Sequence, residues 1–262
     1  MSGRRPALSR ELSERETEML RVVGEYRVLS GGQLRRWFFP VLDSGSEAGA
    51  LRRSQRTLKR LVDDGLLETL DRRVGGVRAG SAGYCYVLGY RGQRLVNPGR
   101  RARSHVVPGE RFIAHALAVG ELAVGLIEAE RRGDLEILEC VTEPDCWRHY
   151  VGSGGGTEIL KADLFVAVGD GATEHRWFIE VDRATESLKR VERKCRQYLT
   201  YLRSGREQEQ HGVFPKVLWT VPHERRHQQL RGVFARLPPP SPRLFAAVLH
   251  DNAIQHLKGG AP

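Results

Sequence analysis

The chain has 262 residues, 40% of them hydrophobic, which is enough for two domains with separate cores and excludes a wholly disordered protein. Its formal net charge is +10. Residues 1–105 hold 21 Lys and Arg against 11 Asp and Glu, whereas the remainder holds 21 of each class, so the amino-terminal part is the expected binder of a polyanion.

Three helices are predicted at the start of a first domain, residues 9–105. A capping-box pattern at Ser13 predicts a helix that ends near Tyr26, and Ser30 can cap a second, short helix. A loop rich in glycine and serine over 43–49 follows. A third helix is then predicted over about 50–64.

This third helix is amphipathic, with leucines on one face and basic or polar side chains on another. An amphipathic helix with a basic outer face fits the major groove of DNA, although a solvated charged face gives the same pattern. The candidate DNA contacts on this helix are Arg52, Arg53, Gln55, Arg56, Lys59 and Arg60.

Two strands follow, over 66–70 and 84–88, separated by a loop rich in glycine and arginine over 72–81. Three helices followed by a hairpin with a basic tip is the order of a winged helix-turn-helix domain, whose third helix reads base edges. The expected contacts of the wing are Arg72, Arg73 and Arg78. A winged helix used for protein contacts is the alternative, and residues 93–108 are interpreted as a basic linker.

The second domain, residues 110–250, is predicted to begin with a long apolar helix over 112–131. Glu121 is the only charged side chain between Arg111 and Glu128. A carboxylate in such a helix is costly unless it is paired or binds a metal. Both an exposed or arginine-paired Glu121 and a metal ligand therefore remain open.

The elements predicted after this helix are strands over 135–141, 160–168 and 176–182, a helix over 187–203, a strand over 213–221, a helix over 224–237 and an edge strand over 244–249. This order is compatible with the common core of the PD-(D/E)XK nucleases. The predicted fold class is therefore α/β, with an N-terminal winged helix-turn-helix domain followed by a PD-(D/E)XK nuclease-like domain.

Acidic residues converge at one edge of this predicted sheet. Strand alternation places Glu180 and Asp182 on one face, and Asp163, at the start of the antiparallel neighbour, can meet them. Lys194 and Tyr198 lie beside the buried stripe of the next helix. These five residues are the catalytic candidates, because such a group can hold a divalent cation beside a phosphodiester. The candidate ligands of an expected Mg²⁺ or Mn²⁺ are Asp163, Glu180 and Glu121.

The segments that carry these residues resemble the signature of the replication-relaxation family, found on actinobacterial plasmids and integrative elements. They are Asp163, then Phe178-Ile-Glu180-Val-Asp182-Arg183-Ala-Thr185-Glu186, then Lys194-x-x-x-Tyr198. The resemblance covers both domains and implies a role in the replication, relaxation or mobilisation of such elements, with a nuclease-like second domain. Arg183 is expected to contact phosphate or to cap the following helix.

One residue departs from the wider nuclease pattern, which has lysine where this chain has Asp182. Lys194, or less readily Lys161, could supply the missing charge, or Asp182 could act as a third carboxylate. A degenerate nuclease fold that only binds DNA is a further alternative. So is a metal-free cluster of the carboxylates with Arg183 or Lys194.

Functions of different classes follow from these alternatives. The leading hypothesis is a metal-dependent DNA nuclease or nickase, and the runner-up is a non-catalytic DNA-binding regulator of replication or transcription. A protein-interaction adaptor is the third. A relaxase-type transesterification would instead use Tyr198 as the nucleophile. Besides DNA, the partners left open are a second copy of the chain and other replication or transfer proteins.

Cysteine spacing and hydropathy indicate the cellular compartment in which the protein is expected. The four cysteines include no C-x-x-C pair, so neither a zinc knuckle nor a disulfide framework is indicated. No apolar signal region follows the first arginines, and the most apolar stretch, 116–127, is too short to span a membrane. We therefore expect a cytoplasmic protein without a membrane partner.

Overall fold

The computed structural model describes residues 10–74, 83–99, 108–152, 154–169, 171 and 173–259. The described part of the chain is mixed α/β, with 52% of its residues helical and 23% in strands, as the predicted fold class requires. Its backbone contacts divide it into two compact units, Met1–Val124 and Gly125–Pro262. The sequence placed this boundary earlier, between residues 105 and 110.

The first unit combines helices with a small antiparallel sheet. Its helices are α1 (Glu14–Tyr26), α2 (Gly31–Phe38), α3 (Val41–Ser44), α4 (Glu47–Asp63) and α5 (Tyr90–Val96), and its strands are β1 (Leu29–Ser30), β2 (Leu67–Val74) and β3 (Gly83–Leu88). The strands lie in the order β1-β3-β2. The helices predicted from Ser13 and Ser30 are confirmed, and each begins with a complete capping box.

Three connecting segments of the first unit differ from the prediction. The predicted loop over 43–49 is wrong, because Ser46 caps the backbone N–H of Gly49 at 3.1 Å and α4 begins inside that segment. The predicted wing loop begins too early, since β2 extends through Val74. The predicted linker begins with the last turns of α5. Residues 75–82 and 100–107 lie outside the described part of the chain.

The long apolar helix predicted from the sequence is confirmed as α6 (Glu110–Arg131). Its residues up to Val124 belong to the first unit, where Ile113 and Ala116 pack in a buried cluster with Val28, Leu70, Cys85 and Val87. An added Cβ at Gly120 would lie 2.6 Å from the Leu29 side chain, so glycine permits this close approach. By length and composition α6 could also cross a membrane, but core helices meet the same criterion and half of its apolar window is buried.

The second unit is built on a five-stranded mixed sheet. The strands of the whole unit are β4 (Glu136–Thr142), β5 (Arg148–Val151), β6 (Thr157–Leu160), β7 (Leu164–Gly169), β8 (Glu174–Val181), β9 (Lys216–Val221) and β10 (Phe245–Leu249). Of these, β5 and β6 form a separate two-stranded sheet. The helices of the unit are α7 (Leu188–Arg203), α8 (Arg206–His211), α9 (Glu224–Phe234), α10 (Ser241–Leu244) and α11 (Ala253–Gly259). The sheet order is β10-β9-β8-β7-β4. Strands β4, β7 and β8 are antiparallel neighbours, and β8, β9 and β10 are parallel.

The predicted strand over 160–168 is divided in two. β6 pairs with β5 in a separate hairpin, and β7 joins the main sheet only from Leu164. Between them, the Ala162 carbonyl accepts a hydrogen bond from the Cys146 thiol, and the Asp163 carbonyl accepts one from the backbone N–H of Glu143, next to the β4–β7 ladder. The β5–β6 hairpin and helices α8, α10 and α11 were not predicted, whereas the edge strand β10 was.

The predicted alternation along β8 is confirmed. Phe178 packs in the buried cluster formed with α7 and α9, which includes Tyr198, Leu199 and Phe234. Trp177 points to the opposite face, where its ring lies 5.4 Å from that of His256 on α11. Glu180 therefore shares the α7 side of the sheet with Phe178.

Candidate functional site

A buried glutamate at the end of β8 organises the site of the second unit. Glu180 is only 3% exposed. The Tyr198 hydroxyl donates to its Oε1 at 2.6 Å, and Lys194 Nζ lies 2.5 Å from its Oε2. Lys194 and Tyr198 are four residues apart on α7 and so share one helix face. Both carboxylate oxygens of Glu180 therefore have a partner on the neighbouring helix.

Asp163 joins this site from the start of β7. The backbone N–H of Val181 donates to Asp163 Oδ2 at 2.7 Å, and the Asp163 N–H donates to the Ile179 carbonyl at 3.2 Å. Asp163 is thus fixed beside the end of β8, and its charge acts on Glu180, Lys194 and Tyr198. Of the group expected from the sequence to converge here, Asp163, Glu180 and Lys194 lie together, whereas Asp182 does not join them.

Burial and charge set the protonation of this group. Burial, the largest cause, and the nearby negative charge of Asp163 raise the pKa of Glu180 to about 7. Lys194 and Tyr198 lower this pKa, but their effect is smaller. Burial disfavours the charged form of Lys194, but the carboxylates of Glu180 and Asp163 outweigh it and raise the lysine pKa. Burial and the Glu180 carboxylate raise the pKa of Tyr198 well above its usual value. The phenol stays protonated and donates.

The position of Tyr198 does not favour its alternative role as the nucleophile of a relaxase-type transesterification. Its side chain is completely buried, and its hydroxyl proton is committed to Glu180. A nucleophile for a DNA phosphate must reach the surface of the site, so this placement makes Tyr198 a positioning residue for Glu180.

Asp182 does not join the Glu180 cluster. Arg226 of α9 donates to Asp182 Oδ2 from Nη2 at 2.7 Å and from Nε at 3.1 Å, and Asp182 Oδ1 accepts the backbone N–H of Ala184. The same Arg226 Nη2 donates to the Glu186 carbonyl at 2.9 Å. The interpretation of Asp182 as a third metal-binding carboxylate is therefore wrong, because an arginine occupies the carboxylate.

The hydrogen bonds of Arg226 to Asp182 and to the Glu186 carbonyl hold both ends of the loop that leads into α7. Ala184 has φ 58°, a left-handed conformation that is uncommon for a residue other than glycine. Ser187 caps α7 by accepting the Arg190 N–H at 3.4 Å, so the helix cap is Ser187 and not Arg183. Arg183, within this loop, is exposed.

The other sequence candidates of the site lie elsewhere. Lys161 Nζ lies 4.5 Å from the centroid of the Trp147 ring, a cation–π contact. Glu121 has a 54% exposed side chain and forms an ion pair with Arg36, and Gln33 donates to it at 3.3 Å. The arginine-paired alternative for Glu121 is thus the one observed, and Glu121 no longer counts as a metal ligand.

The basic residues of α4 divide into paired and unpaired side chains. Arg60 is held by Glu16 at 2.8 Å, Lys59 by Asp63 at 2.7 Å, and Arg53 donates to the Asp43 carbonyl at 2.5 Å. Arg52, Gln55 and Arg56 are exposed on consecutive turns, and among the described residues neither arginine has an ion-pair partner. The side chains of Arg72, Arg73 and Arg78 lie outside the described part.

Comparison with known protein families adds one finding. A family model described as Replication-relaxation matches residues 20–217, which include α4 and the whole Glu180 cluster. The chain belongs to this family. The resemblance noted in the sequence is confirmed, and membership indicates a role in the replication or relaxation of plasmids or mobile elements. No curated protein and no solved structure matches the chain.

The Glu180 site of this Replication-relaxation protein contains only some of the ligands that a divalent cation needs. Asp163 and Glu180 supply carboxylate oxygens, which Mg²⁺ and Mn²⁺ prefer. Across the described ranges, however, no group of three or more His, Cys, Asp and Glu side chains is placed to hold a metal. The Lys194 ammonium already neutralises Glu180, as a cation would.

Sequence reasoning missed Arg226, although a signal was present. Arg226, Leu230 and Val233 recur at i, i+4 and i+7 on α9, and all three are buried. An arginine in an apolar stripe requires an acidic partner, because burying an unpaired charge is costly. In this Replication-relaxation protein Asp182 is that partner.

Proposed function

We propose that this Replication-relaxation protein is a cytoplasmic DNA-binding protein that acts in the replication or relaxation of a plasmid or mobile element. The observation that carries the proposal is the exposed face of α4, on which Arg52, Gln55 and Arg56 have no competing ion pair among the described residues. The order α1, β1, α2, α4, β2, β3 supports a winged helix-turn-helix domain in the first unit.

The chemistry of this face fits a DNA groove. Arginine can donate two hydrogen bonds to the major-groove edge of guanine, and glutamine can pair with adenine. Arg52 and Arg56 lie one helical turn apart with Gln55 beside them, so the three can reach neighbouring base pairs. Buried Leu58 and Leu61 hold the opposite face of α4 in the core of the unit.

DNA affinity tests this proposal. The full chain is titrated with duplexes from its own genetic element and with a random duplex, at salt concentrations between about 50 and 200 mM. Arg52→Ala and Arg56→Ala are expected to weaken binding roughly tenfold and to flatten the salt dependence. Arg21→Ala is the control, because Arg21 is exposed on α1 and already paired with Glu18 and Glu25. A wild-type chain that binds no duplex at low salt contradicts the proposal.

A metal-dependent DNA nuclease or nickase is the second candidate function. It is favoured by the closeness of Asp163, Glu180 and Lys194 where β7 begins and β8 ends. The succession α6, β4, β7, β8, α7, β9 supports a PD-(D/E)XK nuclease-like domain. Asp163 and Glu180 would hold Mg²⁺ or Mn²⁺, which supplies Lewis-acid chemistry when bound.

In this second candidate the chain's own side chains keep defined roles. Lys194 would take the role of the lysine that PD-(D/E)XK nucleases carry two residues after the glutamate, and it would offset charge on a bound phosphate. Tyr198 holds the Glu180 carboxylate through its hydroxyl. Arg183, exposed on the clamped loop, provides a phosphate contact beside them.

Plasmid nicking distinguishes the two candidates. Supercoiled plasmid is incubated with the protein and either Mn²⁺ or EDTA, in parallel with Glu180→Gln and Lys194→Met. Lys189→Ala is the control, because Lys189 is exposed on the same helix. Nicking that needs Mn²⁺ and is lost in both site variants supports the enzyme. Binding of cognate DNA without any nicking supports the alternative that the protein is a non-catalytic regulator.

A further inference from the structure

An open groove in the first unit lies between the start of α1 and α4, and it shares Arg56 with the exposed face of α4 described above. Its volume is about 530 Å³. Four arginines and two hydroxyl side chains line it: Arg15, Arg53, Arg56, Arg60, Ser13 and Thr57. The guanidinium groups are donors suited to phosphate oxygens.

The groove remains cationic although two glutamates also line it. Glu14 is exposed, and Glu16 is buried with ion pairs to both Arg10 and Arg60. Burial alone would raise the pKa of Glu16, but hydrogen bonds from Arg10, Ser13 and Arg60 outweigh burial and lower the pKa to about 2. The Glu16 charge is thus already neutralised inside the unit.

The wall opposite α4 is held in place before any ligand binds. The Arg15 guanidinium lies 5.4 Å from the centroid of the Phe39 ring, and its Nη2 is 3.6 Å from an Asp43 carboxylate oxygen. Arg53 donates to the Asp43 carbonyl from the α4 side at 2.5 Å. An arginine stacked on an aromatic ring loses less side-chain freedom when it binds an anion.

We propose that this groove binds the phosphodiester backbone of duplex DNA, with Arg15 as a phosphate contact that fixes the position of α4 over the bases. The inference rests on the proposed DNA-binding function and extends it to a residue of α1. Because a phosphate contact carries no sequence information, Arg15 contributes equally to cognate and random DNA. Arg52 and Gln55, in contrast, contribute to discrimination between sequences.

Matched arginine variants of α1 test the inference. The affinities of wild type, Arg15→Ala, Arg15→Lys and Arg21→Ala for a cognate and a random duplex are measured across salt concentrations. Arg15→Ala is expected to weaken binding of both duplexes by the same factor, roughly tenfold, and to lower the salt slope by about 0.9 for one lost phosphate contact. Arg15→Lys recovers part of the loss, and Arg21→Ala has no effect.

Each other outcome has a distinct meaning. If Arg15→Ala binds like Arg21→Ala while Arg52→Ala is weakened, the groove is not a phosphate site and the proposed DNA-binding function stands. If Arg15→Ala weakens only the cognate duplex, the contact is to bases and the inference is overturned. If the wild-type chain binds neither duplex at low salt, the proposed function fails together with it. Equal thermal unfolding of the variants establishes that each is folded.

Discussion

Arg226 and Asp182 form a two-pronged ion pair whose side chains are only 5% and 3% exposed. The pair joins the end of β8 to α9, and its second bond to the Glu186 carbonyl reaches the loop before α7. α7, which follows this loop, carries Lys194 and Tyr198, the two partners of Glu180. Asp182, two residues after Glu180, thus has a buried partner of its own in Arg226.

Removing one partner of this pair is expected to be costly. Arg226→Met leaves the Asp182 carboxylate buried without its counter-charge, so the free energy of unfolding should fall by about 3 to 5 kcal/mol. The measurement is urea denaturation, with Arg225→Met on the exposed face of α9 as the control. The double variant Arg226→Met with Asp182→Leu should recover much of the loss. A loss in Arg226→Met no larger than in Arg225→Met would show that the pair contributes little.

Tyr198→Phe isolates the hydrogen bond to Glu180. Loss of the hydroxyl leaves one buried carboxylate oxygen without this donor, so stability should fall by about 1 to 2 kcal/mol. Because the Tyr198 bond opposes the upward shift, the pKa of Glu180 should rise further above 7. Carboxyl NMR titration measures that shift, and Tyr84→Phe, an exposed tyrosine, is the control. An unchanged Glu180 pKa would contradict the assigned role.

The Glu16 network predicts an acid-sensitive contribution. The folded pKa of Glu16 is about 2, below its ordinary value of 4.5, so its stabilisation is complete above about pH 4.5 and is lost as pH falls toward 2. The difference in unfolding midpoint between wild type and Glu16→Gln should shrink over that interval. Glu14→Gln, at an exposed site on the same helix, should show no such trend. A difference that is constant with pH would be inconsistent with the lowered pKa.

Ala184→Gly should stabilise the second unit. At φ 58° an alanine side chain crowds its own backbone, which costs about 1 kcal/mol, and glycine adopts this conformation freely. The expected gain, up to about 1 kcal/mol in chemical denaturation, is reduced by the greater entropy of unfolded glycine. Ala235→Gly, at φ −63°, has no strain to relieve and should destabilise. A loss in both variants would mean that the Ala184 conformation is not strained.

Local signals in the sequence predicted much of this fold. Ser13 and Ser30 set the starts of two helices through short-range capping, and alternation along β8 placed Glu180 on the α7 side. Both signals depend on neighbours within a few residues, so they can be recognised without tertiary information.

The structural features that the sequence did not predict depend on residues far away in the chain. Asp182 looked available for a metal because its partner Arg226 lies 44 residues further along the chain. The strand over 160–168 looked continuous because its division depends on the pairing of its first part with β5, in a hairpin outside the main sheet. Glu121 was correctly described as either paired or metal-bound, but the choice required Arg36, which lies 85 residues earlier.

The sharing of α6 between the two units limits how the chain can be dissected. A fragment ending at residue 105 would discard Ile113 and Ala116 and expose the apolar surfaces of Val28 and Val87 that they cover. Such a fragment should aggregate or unfold, and its failure to bind DNA would carry no information about α4. A fragment that ends at Val124 keeps the whole first unit, including this buried cluster.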